Sequence, residues 1–250
     1  MKNNTPSIQD RHRLIVALDF SDIKSAQNLV EILGNSVNFY KIGLELLMSG
    51  DYFMMVDWLA KKNKKIFTDL KLYDIPATIG KTIKRLSLYS NIHFLTIHSA
   101  SRDVMCEAVA NQGNINLLAV TVLTSLDQKD LLEMGFDPKT SLENLVIKKV
   151  QLAKECGIKG VVASGLEAKI IRQNFGNQNS PNGITIVSPG IRLANVDGDD
   201  QKRVVDVKTA IQSGVDYIVV GRPITKATDP VFVASEFWKQ IKNSGEGHLV

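Results

Sequence analysis

Cysteine is scarce in this chain. Cys106 and Cys156 are the only two in 250 residues, and their spacing fits no metal motif. A chain this long can bury a sizeable core without disulfide staples, so a disulfide-rich secreted scaffold and a zinc module are both excluded, and the thiols read as reduced helix or core residues. Long apolar runs are missing too. None is long enough to span a bilayer, and residues 1–13 are polar and mixed in charge, without the apolar stretch of a secretory signal. The expectation is a cytoplasmic protein with no membrane partner. No Pro/Gly/Ser-rich linker or low-complexity tract divides the sequence, which implies one domain over residues 14–244, with a polar extension at 1–13 and a tail at 245–250. Aromatic residues make up only 6%, and none interleaves with the basic cluster Lys61, Lys62, Lys64 and Lys65. A net charge of +4 therefore does not point to nucleic acid; those lysines sit where a helix should end and a strand begin, a place that favours cations.

What the chain does have is alternation. Short apolar, β-branched runs recur at 14–18, 37–42, 66–70, 93–97, 117–123, 160–163, 184–187 and 217–220. Between them lie stretches of helical periodicity, such as 21–33, 46–62, 77–89 and 141–156. Eight strand-like runs separated by helices imply parallel strands with right-handed crossovers, an α/β fold of the (β/α)8 TIM-barrel type. The alternative is an open doubly wound sheet, but no Gly-x-Gly-x-x-Gly follows the first run, where a dinucleotide-binding sheet carries its phosphate loop. Strands buried on both faces also explain why the runs are continuously apolar.

The apolar runs stop at polar residues: Asp19, Lys41, Asp69 with Lys71, His98, Thr124, Ser164, and Gly221-Arg222. In a barrel, the C-terminal strand ends converge on one mouth. Taken singly, each is equally well a solvated loop charge, and Asp19 could help cap a helix beginning near Ser21-Asp22. Jointly they form a pattern. Asp69 and Lys71 are two apart on an extended strand and face the same side, and Asp74 follows in a turn fixed by Ile75-Pro76, so the lysine is expected between two carboxylates. The arrangement serves either as a structural ion-pair network or as a device that keeps the lysine charged, suited to protonating a carbanion. Ser188-Pro189-Gly190-Ile191-Arg192, Gln201 and Gly221-Arg222-Pro223-Ile224 fall after strands seven and eight, the customary phosphate site of this barrel, although the glycines also read as turn glycines and the arginines as surface charges. His93 and His98 are an odd five apart and point to opposite faces, so no metal site emerges.

Ala17-Leu18-Asp19, Tyr40-Lys41-Ile42-Gly43, the run from Thr68-Asp69-Leu70-Lys71 through Asp74-Ile75-Pro76-Ala77-Thr78, Val120 to Ser125, Pro189 to Arg192 and Val220 to Ile224 together resemble the orotidine 5′-phosphate decarboxylase family. The resemblance runs from strand one to strand eight. It implies decarboxylation of orotidine 5′-phosphate to UMP and CO2 in pyrimidine biosynthesis, with no cofactor and no metal, and with Lys71 as the proton donor to C6. Lys41, Asp69 and Asp74 complete a charged tetrad. It further implies a homodimer in which Asp74 and Thr78 reach the partner's site, ribose contacts from Asp19 and Lys41, and pyrimidine contacts from Thr124 and Ser125. A phosphate grip from Gln201, Gly221 and Arg222, with Arg192 beside it, and a closing loop over 190–200 follow in the same way. Ile75 and Pro189 join the substrate-binding set. The Asp-x-Lys-x-x-Asp core is shared with metal-dependent sugar-phosphate decarboxylases and aldolases, and a non-catalytic nucleotide-binding barrel is a third reading. Two positions depart from the pattern: Ser99-Ala100 stands where many relatives carry Gly-Gly, and Tyr73 replaces a common histidine.

Overall fold

The computed structural model describes residues 13–180, 183–193 and 204–245. Eight parallel strands close into a barrel: β1 (Leu14–Ala17), β2 (Phe39–Gly43), β3 (Lys65–Leu72), β4 (Ile92–His98), β5 (Asn116–Val120), β6 (Gly160–Val162), β7 (Thr185–Ser188) and β10 (Tyr217–Val220), with β10 pairing back onto β1. The expected TIM barrel is thus present. Two short strands, β8 (Ile191–Arg192) and β9 (Val205–Asp206), pair with each other outside the barrel.

Helices cover the outer face of the strands, and their burial follows the spacing of apolar residues. In the helix Ile23–Leu33 the buried positions are Ala26, Leu29, Val30 and Leu33, one stripe at helical spacing. The cap of that helix is Asp22, whose Oδ1 accepts from the Ser25 amide at 2.8 Å; Asp19 is therefore released from capping and available to the mouth. Inside the barrel, Ile15, Phe39, Phe67, Phe94, Leu118, Val187 and Val219 form a separate core. Phe39, His93, Phe94 and Tyr217 pack their rings with centroids 4.6–6.1 Å apart. Phe39 and Phe94 are buried there, and a buried phenylalanine contributes about 1.5–3 kcal/mol. His93 is a packing residue in this cluster, at the start of β4 and far along the strand from His98.

Several boundaries differ from those expected, each for a local reason. The helix expected over 46–62 is two, Leu44–Met48 and Tyr52–Lys61, because the chain turns at Gly50 with φ 87°. The fifth strand stops at Val120, so Thr124 lies in the following loop instead of at a strand end. The third strand is longer than expected and irregular: its register against β4 shifts between Thr68 and Leu72, and Lys71 has φ 47°. Within the lysine cluster, Lys64 is buried, and its ammonium donates to Gly34 O at 2.6 Å, Val37 O at 2.9 Å and Asn38 Oδ1 at 3.0 Å. That lysine pins the loop entering β2 and is no part of a solvated basic face. Among the described residues no helix is long and apolar enough to cross a membrane.

Candidate active site

Strand ends β1, β2 and β3 carry a continuous chain of ion pairs. Lys41 Nζ lies 2.7 Å from Asp19 Oδ1 and 3.5 Å from Asp69 Oδ2, and Lys71 Nζ lies 2.9 Å from the same Asp69 oxygen. Adjacent parallel strands place them so: Ala17 pairs with Lys41, and Gly43 with Asp69. Glycine at position 43 eases the approach, since a Cβ there would lie a tight 3.3 Å from the Asp69 carbonyl and 3.5 Å from Lys41 Nζ. Burial alone would drive the Lys41 ammonium to give up its proton, but Asp69 and Asp19 outweigh it and hold the group above the ordinary lysine value. For Asp69 burial works toward protonation, and Lys41 and Lys71, aided by hydrogen bonds from Lys71 and Thr96, hold the carboxyl below its ordinary value.

Thr96 on β4 completes the local frame. Its hydroxyl donates to Asp69 Oδ1 at 3.0 Å and accepts from the Lys71 amide at 2.9 Å. Next along β4, His98 meets Tyr73 edge-on with ring centroids 5.6 Å apart. Burial, together with the charges of Lys149 and Lys71, keeps His98 below the ordinary histidine value. Ser99, where the resemblance expected glycine, is buried and donates to Val120 O at 2.7 Å, tying the end of β4 to β5.

Asp19, Lys41, Asp69 and Lys71 face a cavity of about 670 Å³. Of the residues expected in the site, Asp19, Lys41, Asp69, Lys71, Thr124, Pro189, Arg192, Gly221 and Arg222 line it. β3 and β7 are four strands apart in either direction round the barrel, so Lys71 and the Pro189–Arg192 segment approach from opposite walls. Gly190 has φ 75°, a conformation that favours glycine, and its carbonyl accepts from Val205 N at 3.2 Å. The Arg192 side chain is buried, with Nη1 donating to Ile191 O at 3.0 Å, while Arg222 is exposed.

Other expected residues are not brought there. Asp74, Ile75, Thr78 and Ser125 are exposed and do not line the cavity. The Asp74 carboxylate accepts from the Ile75 amide at 2.7 Å, and among the described residues it has no ion-pair partner. Among the described residues Lys71 is therefore held by Asp69 and not between two carboxylates; the turn after Leu72 carries Asp74 outward. Gln201 and most of the expected closing loop lie outside the described residues. Conversely, the apolar lining from Ala17, Phe67, Val120, Val122, Val162 and Val219 was hidden inside the strand runs, and Glu45 and Lys226 carry no motif signal. Among the described residues no group of three or more His, Cys, Asp or Glu side chains is placed to hold a metal ion.

Comparison with known proteins decides the family. Residues 12–237 match the model of the Orotidine 5′-phosphate decarboxylase / HUMPS family. The chain belongs to that family. It is 48% identical over 233 residues to the orotidine 5′-phosphate decarboxylase of Methylococcus capsulatus, covering 92% of each chain. To that of Stenotrophomonas maltophilia it is 46% identical over 239 residues, covering 95% of each. Among solved structures, the orotidine 5′-phosphate decarboxylase of Lactobacillus acidophilus superposes with a TM-score of 0.77 at 31% identity, over 92% of this chain and 99% of that one.

Proposed function

We propose that this family member is a carboxy-lyase that converts orotidine 5′-phosphate to UMP and CO2, a step of pyrimidine biosynthesis, without a metal or organic cofactor. The observation that carries the reading is the Lys71 ammonium, 2.9 Å from the largely buried Asp69 carboxylate at the edge of a cavity whose opposite wall bears Arg192. In the reaction the bond between C6 and the carboxylate breaks and its electron pair stays on C6, where the ring delocalises it poorly. The Lys71 ammonium stabilises that charge and gives it a proton, forming the C6–H bond; the neutral amine left behind is reprotonated from solvent. An apolar lining keeps the local dielectric low, which strengthens this interaction relative to water, and the fixed network spares reorganisation. Asp69, itself fixed by Lys41, holds the ammonium in place, and Lys41 with Asp19 takes the ribose hydroxyls. Arg222, the Gly221 backbone, Arg192 and Gln201 hold the phosphate, and Thr124 borders the pyrimidine, with Pro189 lining the same cavity.

A homodimer completes the proposal. Asp74 and Thr78 are exposed beside Tyr73 and Ile75, apolar side chains 74% and 65% accessible, so this turn is suited to burial against a second copy. There Asp74 would supply a second carboxylate to Lys71, beside the Asp69 that holds it among the described residues of its own chain. Mixing inactive Lys71→Ala chains with inactive Asp74→Asn chains should restore roughly a quarter of the wild-type sites, because each hybrid two-fold dimer then has one intact site; no recovery after subunit exchange rejects the shared site.

The assay for the activity is the fall in ultraviolet absorbance as purified protein consumes orotidine 5′-phosphate with a strong chelator present. Turnover that survives the chelator is expected. Chelator-sensitive turnover of a pentulose or hexulose phosphate would replace this reading with the metal-dependent one, and nucleotide binding without CO2 release would replace it with a non-catalytic barrel.

A further inference from the structure

We infer that Thr96 is a positioning residue for the proposed proton donor, acting by clamping the backbone of Lys71 and the carboxylate of Asp69 with a single hydroxyl. The inference deepens the functional reading above and rests on it. Five atoms carry it. The Lys71 amide donates to Thr96 Oγ1 at 2.9 Å, Thr96 Oγ1 donates to Asp69 Oδ1 at 3.0 Å, and Asp69 Oδ2 accepts from Lys71 Nζ at 2.9 Å. Main chain and ammonium of one lysine are thus joined through one carboxylate and one hydroxyl in a closed circuit.

The need for it arises from the backbone. β3 and β4 pair Phe67 with Phe94 and Thr68 with Leu95, and the register resumes, shifted, at Leu72 and Ile97. Between these points Lys71 takes φ 47°, a left-handed conformation that L residues with side chains adopt at a cost. A regular strand would offer the Lys71 amide a carbonyl on β4. Here the Thr96 hydroxyl accepts it instead, so the side chain replaces a lost ladder bond. Because the hydroxyl has one proton and its acceptor side is engaged by the amide, the O–H is directed at Asp69. Thr96 is fully buried in a strand, and water has no access to substitute for it. The pair of bonds therefore sets where the lysine backbone leaves the strand and how the carboxylate that receives its ammonium is turned.

Removing the hydroxyl while keeping the shape is the test. In Thr96→Val the Lys71 amide loses its acceptor and Asp69 one of its donors, and a displacement of order 1 Å at the ammonium should lower kcat by on the order of 10²-fold. The KM for orotidine 5′-phosphate and the affinity for UMP should stay within about twofold, since the ribose and phosphate contacts lie on other strands. Thr96→Ser, which retains the hydroxyl, should keep kcat within a few-fold of wild type. Amide hydrogen exchange at Lys71 reads the circuit independently of any substrate, with protection in wild type and Thr96→Ser and fast exchange in Thr96→Val. Wild-type kcat in Thr96→Val, a Thr96→Ser variant as slow as Thr96→Val, or UMP affinity lost in proportion to kcat overturns the inference. Failure of the wild-type protein to release CO2 from orotidine 5′-phosphate overturns the function instead, and the exchange measurement still decides the circuit.

Discussion

Oppositely charged side chains meet against the apolar core at both ends of this barrel, and the two networks are finished differently. At the N-terminal end, Arg172 pairs with Asp216 and donates also to the carbonyls of Gly214, Gly176 and Ile184. Asp216 in turn accepts from the Ile186 amide at 2.7 Å, and Arg13 donates to Asp216 O at 2.9 Å. Every donor of that guanidinium points at protein, as buried charge requires. At the C-terminal end, Lys71 spends one short bond on Asp69 and is 32% accessible, facing a cavity. A charge network that closes on itself is a structural joint; one that leaves a cation directed at open space, at the cost of stability, is arranged for a ligand.

Exchanging the two ends by mutation gives the largest contrast. Lys71→Ala should reduce decarboxylation by at least roughly 10⁴-fold, the upper range for a positioned proton donor acting near a developing charge. Its unfolding free energy should change by no more than about 1 kcal/mol. Asp216→Ala should do the reverse: a loss of about 3–5 kcal/mol in urea unfolding, because it strands a buried guanidinium, with kcat per folded molecule unchanged. Steady-state kinetics and denaturation curves on both variants check the pair. Substantial activity in Lys71→Ala, or an inactive but stable Asp216→Ala, would break the distinction between the two ends.

The contrast also marks what the amino-acid order made legible. The barrel was legible because each strand is buried on both faces, so runs such as 14–18 and 217–220 are unbroken by polar residues. The mouth was legible because those runs end in Asp19, Lys41, Asp69 and Lys71. Where the reading failed, it had assumed regular geometry. A flat third strand would have kept Lys71 in register, and nothing in Thr68-Asp69-Leu70-Lys71 announces the left-handed turn that makes Thr96 necessary. Thr96 itself, inside Ile92–His98, reads as one more β-branched strand residue. Asp74 seemed bound to flank Lys71 from sequence spacing alone, yet the turn sends it outward, a direction that three residues of separation cannot specify. The N-terminal network was invisible for the same reason: Arg172 and Asp216 lie 44 positions apart and meet only once the barrel closes.

A smaller effect sharpens the comparison further, because the two carboxylates respond to acid with opposite sign. Asp69 is held below its ordinary value, with Lys41 and Lys71 prevailing over burial. On acidification the unfolded chain therefore takes up this proton before the native state does, so the contribution of Asp69 is full above the unfolded carboxyl value and is lost as pH falls through the native one. Asp216 is held above its ordinary value, burial prevailing over Arg172. The native state binds that proton first, and acidification through this range favours folding at the N-terminal end. Urea midpoints measured from pH 7 down to the acid limit should accordingly decline less steeply in Asp69→Asn than in wild type, and more steeply in Asp216→Asn. The shifts act on single groups, so the differences in slope should be modest and confined to the carboxylate range, with the curves parallel near neutrality. Equal slopes in all three proteins would mean that the two ends of the barrel hold their carboxylates alike, and that openness toward the cavity, not electrostatic bias, is what separates them.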